Sequence, residues 1–418
     1  MKNILFLGTS FGSCELVEDA KKRGLHTIVT DYNPPERSAA KRIADETWDV
    51  STGDTDLLER LCRERKIDAV FAGVSEFNLD QVLKLTDRLG LPCYISPGAW
   101  KTARNKRLTK KALVRAGVPV PADFHFLGGT EKEMKGFLRT FPYPVVVKPV
   151  DQCGGDGVSF CASPEEAENA ILLSRKLSSN PDFIIEEKMG TEEFCAQYLA
   201  ADGCYSLYSF QQYFKGQGEG ETLPFFSNSD RKVLSEFRAG PDGAVRKMIA
   251  DIGVKDGNVM VQMLRDSAGQ LRVIEIGYRM SGDFPYKAIE ALTGFSVSSF
   301  MLDTALGIPH SREDLIPEMR ETGEDGWCGY TLRVWRGGTI AEITGSEEIG
   351  NCPDFLVDIL HSPGKELPAG AFLGRIVFPY RSPEDRREKI DRINRSVHVR
   401  NTDGEDMILH FDSLRLKG

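Results

Sequence analysis

Glu275 and Arg279 stand four residues apart in the stretch 271–283, LRVIEIGYRMSGD, where an apolar run delivers one carboxylate and Ser281, Gly282 and Asp283 close the segment. A carboxylate and a guanidinium presented together at a strand end suit a site that handles a metal and an anion. A strand with a single Glu before a turn is, by itself, more often only that. It gains meaning from the stretch 145–158, VVVKPVDQCGGDGV, where a β-branched run ends in Lys148 and a glycine-rich loop follows. Gly154, Gly155 and Gly157 let backbone N–H groups fold over an anion without Cβ clashes. The same Gly-Gly-Asp-Gly run is also good hairpin-turn chemistry. It is not a Walker A loop, because the GK[ST] ending is missing.

A third segment, 183–194, runs from an apolar strand into a charged hinge: Glu186, Glu187, Lys188, Met189, then Glu193. An exposed hinge backbone can pair with a purine edge, and a carboxylate can accept from ribose hydroxyls. Charges after a strand are, taken alone, more often simply a solvated face. The loop 215–231, KGQGEGETLPFFSNSDR, is glycine-rich enough for a mobile lid over an acceptor site, and reads as readily as a surface loop. Cys153 beside the glycines lacks any neighbour in sequence that would activate a thiol, so it reads as a bystander.

The elements that must position these residues follow from periodicity. Residues 1–100 alternate short apolar strands (2–8, 27–30, 68–72) with amphipathic helices (13–23, 57–66, 79–89), which implies βαβ units and a parallel sheet. GTSFGS at 8–13 sits between a strand and a helix, and Asp31 ends the next strand. The middle glycine of GxGxxG is absent, so a scaffold is the better reading than a dinucleotide site. Residues 105–117 spell a basic helix ending at a glycine before VPVP, a boundary signal. An acidic helix is expected at 164–177. From about 328 the chain turns to short strands and turns, with a helix at 383–395 and a strand at 396–400.

Composition excludes several classes. A net charge of −9 argues against a nucleic-acid surface, which wants a basic face. No apolar run reaches the roughly 18 residues of a membrane span. The apolar N-terminus turns acidic within twenty residues and reads as a first strand, not a signal peptide. Nine cysteines with no CxxC pair read as reduced thiols of a cytoplasmic protein.

The order of these parts resembles the ATP-grasp superfamily over nearly the whole chain: basic helix with Lys106, strand with Lys148, glycine-rich flap, hinge acid Glu186, then Glu193, Glu275 and Arg279. The layout is similar to carboxylate–amine and L-amino acid ligases and to biotin carboxylase-like members. The resemblance implies an N-terminal Rossmann-like parallel-sheet domain (1–104), a two-subdomain ATP-grasp core (105–320, with a small lid at about 121–190) and a β-rich α+β domain (321–418). It implies that Lys106 and Lys148 hold phosphates and that Gly154, Gly155 and Gly157 form the flap. Glu186, Glu187, Lys188 and Met189 would meet adenine, and Glu193 the ribose. Glu275 would bind Mg²⁺ or Mn²⁺, and Arg279 would face the substrate carboxylate or acyl phosphate, with Lys148 its catalytic partner. The cofactors implied are ATP and Mg²⁺. The substrates implied are a small carboxylate and an amine, and a homodimer stays open. Two positions depart from the family pattern. Gln262 stands where a second metal-binding acid is usual, and Gly277 stands where an Asn is common, so Asp266 becomes a candidate to hold a second metal. The expected activity is ATP-dependent C–N ligation through an acyl phosphate. The alternatives are an ATP-dependent carboxylase and a nucleotide-binding protein with a degenerate metal site.

Overall fold

The computed structural model describes residues 1–9, 12–124, 130–152, 155–178, 180, 182–214, 225–227 and 231–413. Cys153, Gly154 and nearly all of the 215–231 loop lie outside them.

The N-terminal region forms a parallel four-stranded sheet. Asn3–Leu7 lies between His26–Thr30 and Ala69–Phe71, with Glu46–Trp48 at the outer edge. Asn3–Leu7, His26–Thr30 and Ala69–Phe71 are buried along almost their whole length, as expected of a sheet covered on both faces. Local chemistry fixes where its helices start. Asp54 accepts from Leu57 N and Ser75 from Asn78 N, so the helices run Thr55–Arg65 and Glu76–Leu89. Both begin before the expected 57 and 79, because the cap and not the first apolar residue sets the start. Farther on, Ser163 with Pro164 and Ser382 with Pro383 give the same signal, and helices follow at Pro164–Leu177 and Pro383–Ser396.

Residues 121–190 build a small antiparallel sheet in the order Asp123–Phe124, Phe183–Glu187, Val145–Pro149, Ser159–Cys161. Helices Glu131–Leu138 and Pro164–Leu177 pack on it around a core that includes Val145, Val147, Ile171 and Ile185. The glycine loop connects two adjacent antiparallel strands, with Val147 opposite Ser159. The expected flap thus falls in the connection of a hairpin.

The second core sheet has eight strands. Leu271–Gly277, Gly257–Arg265, Glu193–Ala201 and Cys204–Phe214 come first, then Phe225–Ser227, Gly326–Arg333, Phe372–Tyr380 and Leu356–Ile359. The expected border at 320/321 is therefore not a break in the sheet: strands from beyond it extend the core sheet through Phe225–Ser227. A three-stranded sheet, Glu366–Leu367, Gly338–Thr344 and His398–Asn401, belongs wholly to the C-terminal region.

Candidate active site

The helix Lys106–Ala116 starts at Asn105, whose side chain accepts from Arg107 N and Leu108 N. Lys106 and Lys110 are one turn apart on it and share a face. Lys106 Nζ lies 3.0 Å from Glu275 Oε1 and donates to the Gln152 carbonyl at the start of the flap. Its backbone N–H donates to Val150 O at 2.9 Å, which ties the helix start to the end of the Lys148 strand.

Lys110 points to the lid sheet. There Val146 is opposite Glu186, so Lys148, two residues on, reaches the same face of the neighbouring strand. Glu186 is 3% exposed and takes both ammonium groups, Lys110 on Oε1 and Lys148 on Oε2, the latter at 2.6 Å. Burial by itself would raise the Glu186 pKa; the two lysines beside it hold it below the ordinary carboxylate value. The side chain of Glu186 thus organises cations. Lys110 escaped the reading of the sequence, although its i,i+4 spacing from Lys106 in a basic helix was a visible signal.

The other hinge residues spread along the strand end. Glu187 Oε1 accepts from Ala122 N at 2.9 Å, and the Lys188 ammonium lies 5.4 Å from the centre of the Phe160 ring. Met189 follows on the irregular segment 188–190, where Gly190 N donates to Arg265 O. A Cβ on Gly190 would meet that carbonyl at 2.6 Å, so the hinge is pressed against the large sheet. Glu193 opens its strand opposite Leu264 and Tyr213. In the flap, Gly155 (φ +88°) and Gly157 (φ +74°) both use the left-handed region open to glycine, and Val158 N closes a turn on Gly155 O.

Gln262 and Glu275 are direct cross-strand partners with a bulge immediately after Gln262. Both are partly exposed on one sheet face, giving a charged and a neutral oxygen donor of the kind Mg²⁺ accepts. Asp266 does not join them. Its Oδ1 accepts from Ala268 N and Gln270 N and its Oδ2 from Arg272 Nε, so its carboxylate is spent in the turn between the two strands. Gly277 brings no ligand atom.

Arg279 is held by a residue of the N-terminal region. Its Nε donates to Glu76 Oε1 at 3.1 Å, and Glu76 also takes Arg104. Glu76 opens the helix after the last parallel strand, so the carboxyl-end crevice of the N-terminal sheet meets the end of the Glu275 strand. Asn258 Nδ2 fixes the Arg279 carbonyl at 2.8 Å. Just beyond, buried Asp283 accepts from Gln211 Nε2 (2.6 Å) and Tyr213 OH (2.9 Å). Buried Arg375 lies 3.4 Å from its Oδ1 and donates to Gly282 O. Gln211, Tyr213 and Arg375 carried no local signal in the sequence.

The arrangement places three ammonium groups, two of them around one buried acid, beside a pair of oxygen donors and a positioned guanidinium. Such a set can neutralise a polyphosphate and orient a carboxylate.

Comparison with known proteins finds relatives of the same fold. The family model "Carbamoyl-phosphate synthase L chain, ATP binding domain" matches residues 105–195. The 2-oxoglutarate carboxylase small subunit of Hydrogenobacter thermophilus is 26% identical over 75% of this chain and 69% of its own length. Its biotin carboxylase domain, solved as a dimer with MgADP, ADP and bicarbonate, superposes with a TM-score of 0.76 at 18% identity, over 95% of this chain and 91% of that one. Dapdiamide A synthase of Enterobacter agglomerans is 27% identical over 62% of this chain, and the match spans 61% of that relative. An L-amino acid ligase from Bacillus licheniformis gives a TM-score of 0.76 at 22% identity, over 96% of this chain and 99% of that one.

Proposed function

We infer that this chain, which belongs to the ATP-grasp superfamily, is an ATP-dependent ligase that joins a small carboxylate to an amine. The observation that carries the reading is the pairing of the Lys106, Lys110 and Lys148 cluster with the Gln262–Glu275 oxygen donors and Arg279. The likeness to a dapdiamide synthase and an L-amino acid ligase supports amino-acid-like substrates.

Lys106 and Lys148 are the cations for the transferring phosphoryl group, with Lys110 and Glu186 keeping Lys148 in place. Gly155 and Gly157, with Gly154, supply a backbone that can close over phosphates. Residues 186–189 border the adenine and Glu193 the ribose. Arg279, immobilised by Glu76, orients the acid. A carboxylate oxygen attacks the γ-phosphorus and the bond to ADP breaks. The amine then attacks the acyl carbon, phosphate leaves, and the amine nitrogen gives up a proton. Mg²⁺ on Glu275 and Gln262 would supply charge neutralisation for this transfer. A closed flap shields the acyl phosphate from water.

The relation to a biotin carboxylase domain favours a second reading, with bicarbonate as the activated acid. One screen separates the readings: phosphate release from ATP with pools of amino acids, small acids and bicarbonate. The ligase predicts release only when an acid and an amine are both present, and loss of that release in Glu275→Gln. Release with bicarbonate alone would select the carboxylase. Bound ATP with no stimulated release would leave a nucleotide-binding protein.

A further inference from the structure

The C-terminal region carries a second cluster of ligand-type side chains, built on elements separate from those of Glu275 and Lys148. His398 opens the strand His398–Asn401, Asp406 follows the turn after it, and His410 comes four residues later. One donor atom from each lies within 4.8 Å of the others, and among the described residues this is the group of three that could hold a metal ion.

With both imidazoles neutral, the hydrogen bonding of this cluster does not close. His398 Nδ1 is 2.8 Å from Asp406 Oδ2, and its Nε2 is 3.3 Å from the Arg395 carbonyl oxygen. Both neighbours are acceptors, while a neutral imidazole has one N–H. One His398 nitrogen therefore turns a lone pair towards an acceptor unless a second proton or a cation is present. At His410, Nδ1 is 3.5 Å from the Tyr330 hydroxyl. That hydroxyl gives its proton to Asn394 Oδ1 and accepts from Phe411 N, so its oxygen is left to accept from the imidazole. The His410 Nδ1 is then the protonated nitrogen. Its Nε2 lone pair is buried, has no hydrogen-bond partner, and lies 3.6 Å from the same Asp406 Oδ2. A doubly protonated His398 would satisfy Asp406 and Arg395 and still leave His410 Nε2 unmatched. A cation held by all three resolves both.

We propose that His398, Asp406 and His410 form a binding site for a divalent transition metal of the zinc class. Two imidazole nitrogens and one carboxylate oxygen are a set that Zn²⁺ takes tetrahedrally, with water completing the fourth position. The Arg395 carbonyl, Tyr330 and Ile408 N, which donates to Asp406 Oδ1 at 3.2 Å, are the outer contacts that orient such ligands. The ion ties the two ends of the 398–410 stretch together, against the sheet strand that carries Tyr330. Its ligands stand on elements other than those that carry Glu275 and Lys148.

Titration of the full, chelator-treated chain with Co²⁺, in the absence of nucleotide and Mg²⁺, tests the site. One equivalent should bind with the intense visible absorption of a tetrahedral centre, and Zn²⁺ should displace it. The band should vanish in His398→Ala and His410→Ala, weaken more than about tenfold in affinity in Asp406→Asn, and persist in Glu275→Gln. The wild-type spectrum decides even if a variant misfolds. Absence of the band at stoichiometric Co²⁺, or its survival in both histidine variants, overturns the proposal.

Discussion

Gly277 is the residue at which the candidate metal site is thinnest. It follows Glu275 by two positions on the same strand and so shares its face, yet offers no oxygen. A Cβ built there would meet only the Arg279 side chain, at 3.8–3.9 Å, and the backbone is outside the left-handed region. The backbone there does not require glycine, and a Cβ has room. Gly277→Asn should change stability by no more than about 0.5 kcal/mol, because no steric conflict or lost contact opposes it. It should lower, several-fold, the Mg²⁺ concentration needed for half-maximal ATP-dependent phosphate release. Gln262→Glu, which adds charge directly across from Glu275, should act in the same direction. A Mg²⁺ titration that is superimposable on wild type for both variants would show that the ion is not held at this strand pair.

At the scale of elements, the first helix, Ser13–Lys22, carries a buried carboxylate in its first turn. Glu15 is 3% exposed, and its Oε2 has no hydrogen-bond partner. Burial pushes its pKa up to about 8, with Lys287 opposing only in part. The folded value lies above the unfolded one near 4.5, so between these pH values the folded chain keeps a proton that the unfolded chain has released. Stability from this group is complete below about pH 4.5 and is lost as pH rises towards 8. Glu15→Gln should therefore flatten that part of the stability–pH curve, raising Tm at pH 8.5 and changing it little at pH 5. Parallel curves for the two proteins would refute the assignment. The same helix shows what a sequence can and cannot convey. Its extent follows from local periodicity, as other helices follow from Ser-Pro and Asp caps. Which of its acids faces inward depends on Lys287 and its helix, which are distant in sequence. For the same reason Lys148, Glu275 and Arg279 stood out as strand-end residues. Glu76, which immobilises Arg279 from 203 positions away, did not.

At the scale of the molecule, the eight-stranded sheet makes the C-terminal strands part of the site's foundation. Phe372–Tyr380 delivers Arg375 into the interior, where it meets Asp283 four residues beyond Arg279. The pair is buried, and Gln211 and Tyr213 complete the shell around the carboxylate. A buried ion pair contributes little net stability when intact but leaves an uncompensated charge when one partner is removed. Arg375→Met keeps apolar volume and removes the cation, and should cost about 3 kcal/mol, with the remaining hydrogen bonds to Asp283 limiting the loss. Asp283→Asn in the same chain should recover part of that cost, because the stranded charge is then gone. Since Asp283 closes the turn that starts at Arg279, the single variant should also lower substrate-dependent phosphate release at temperatures where it remains folded. Calorimetry of the two single variants and the double variant gives the coupling energy directly. A coupling near zero would mean that the C-terminal strands extend the core sheet without bracing Asp283. A coupling of 1 kcal/mol or more would mean that residues beyond 321 brace the turn that follows Arg279.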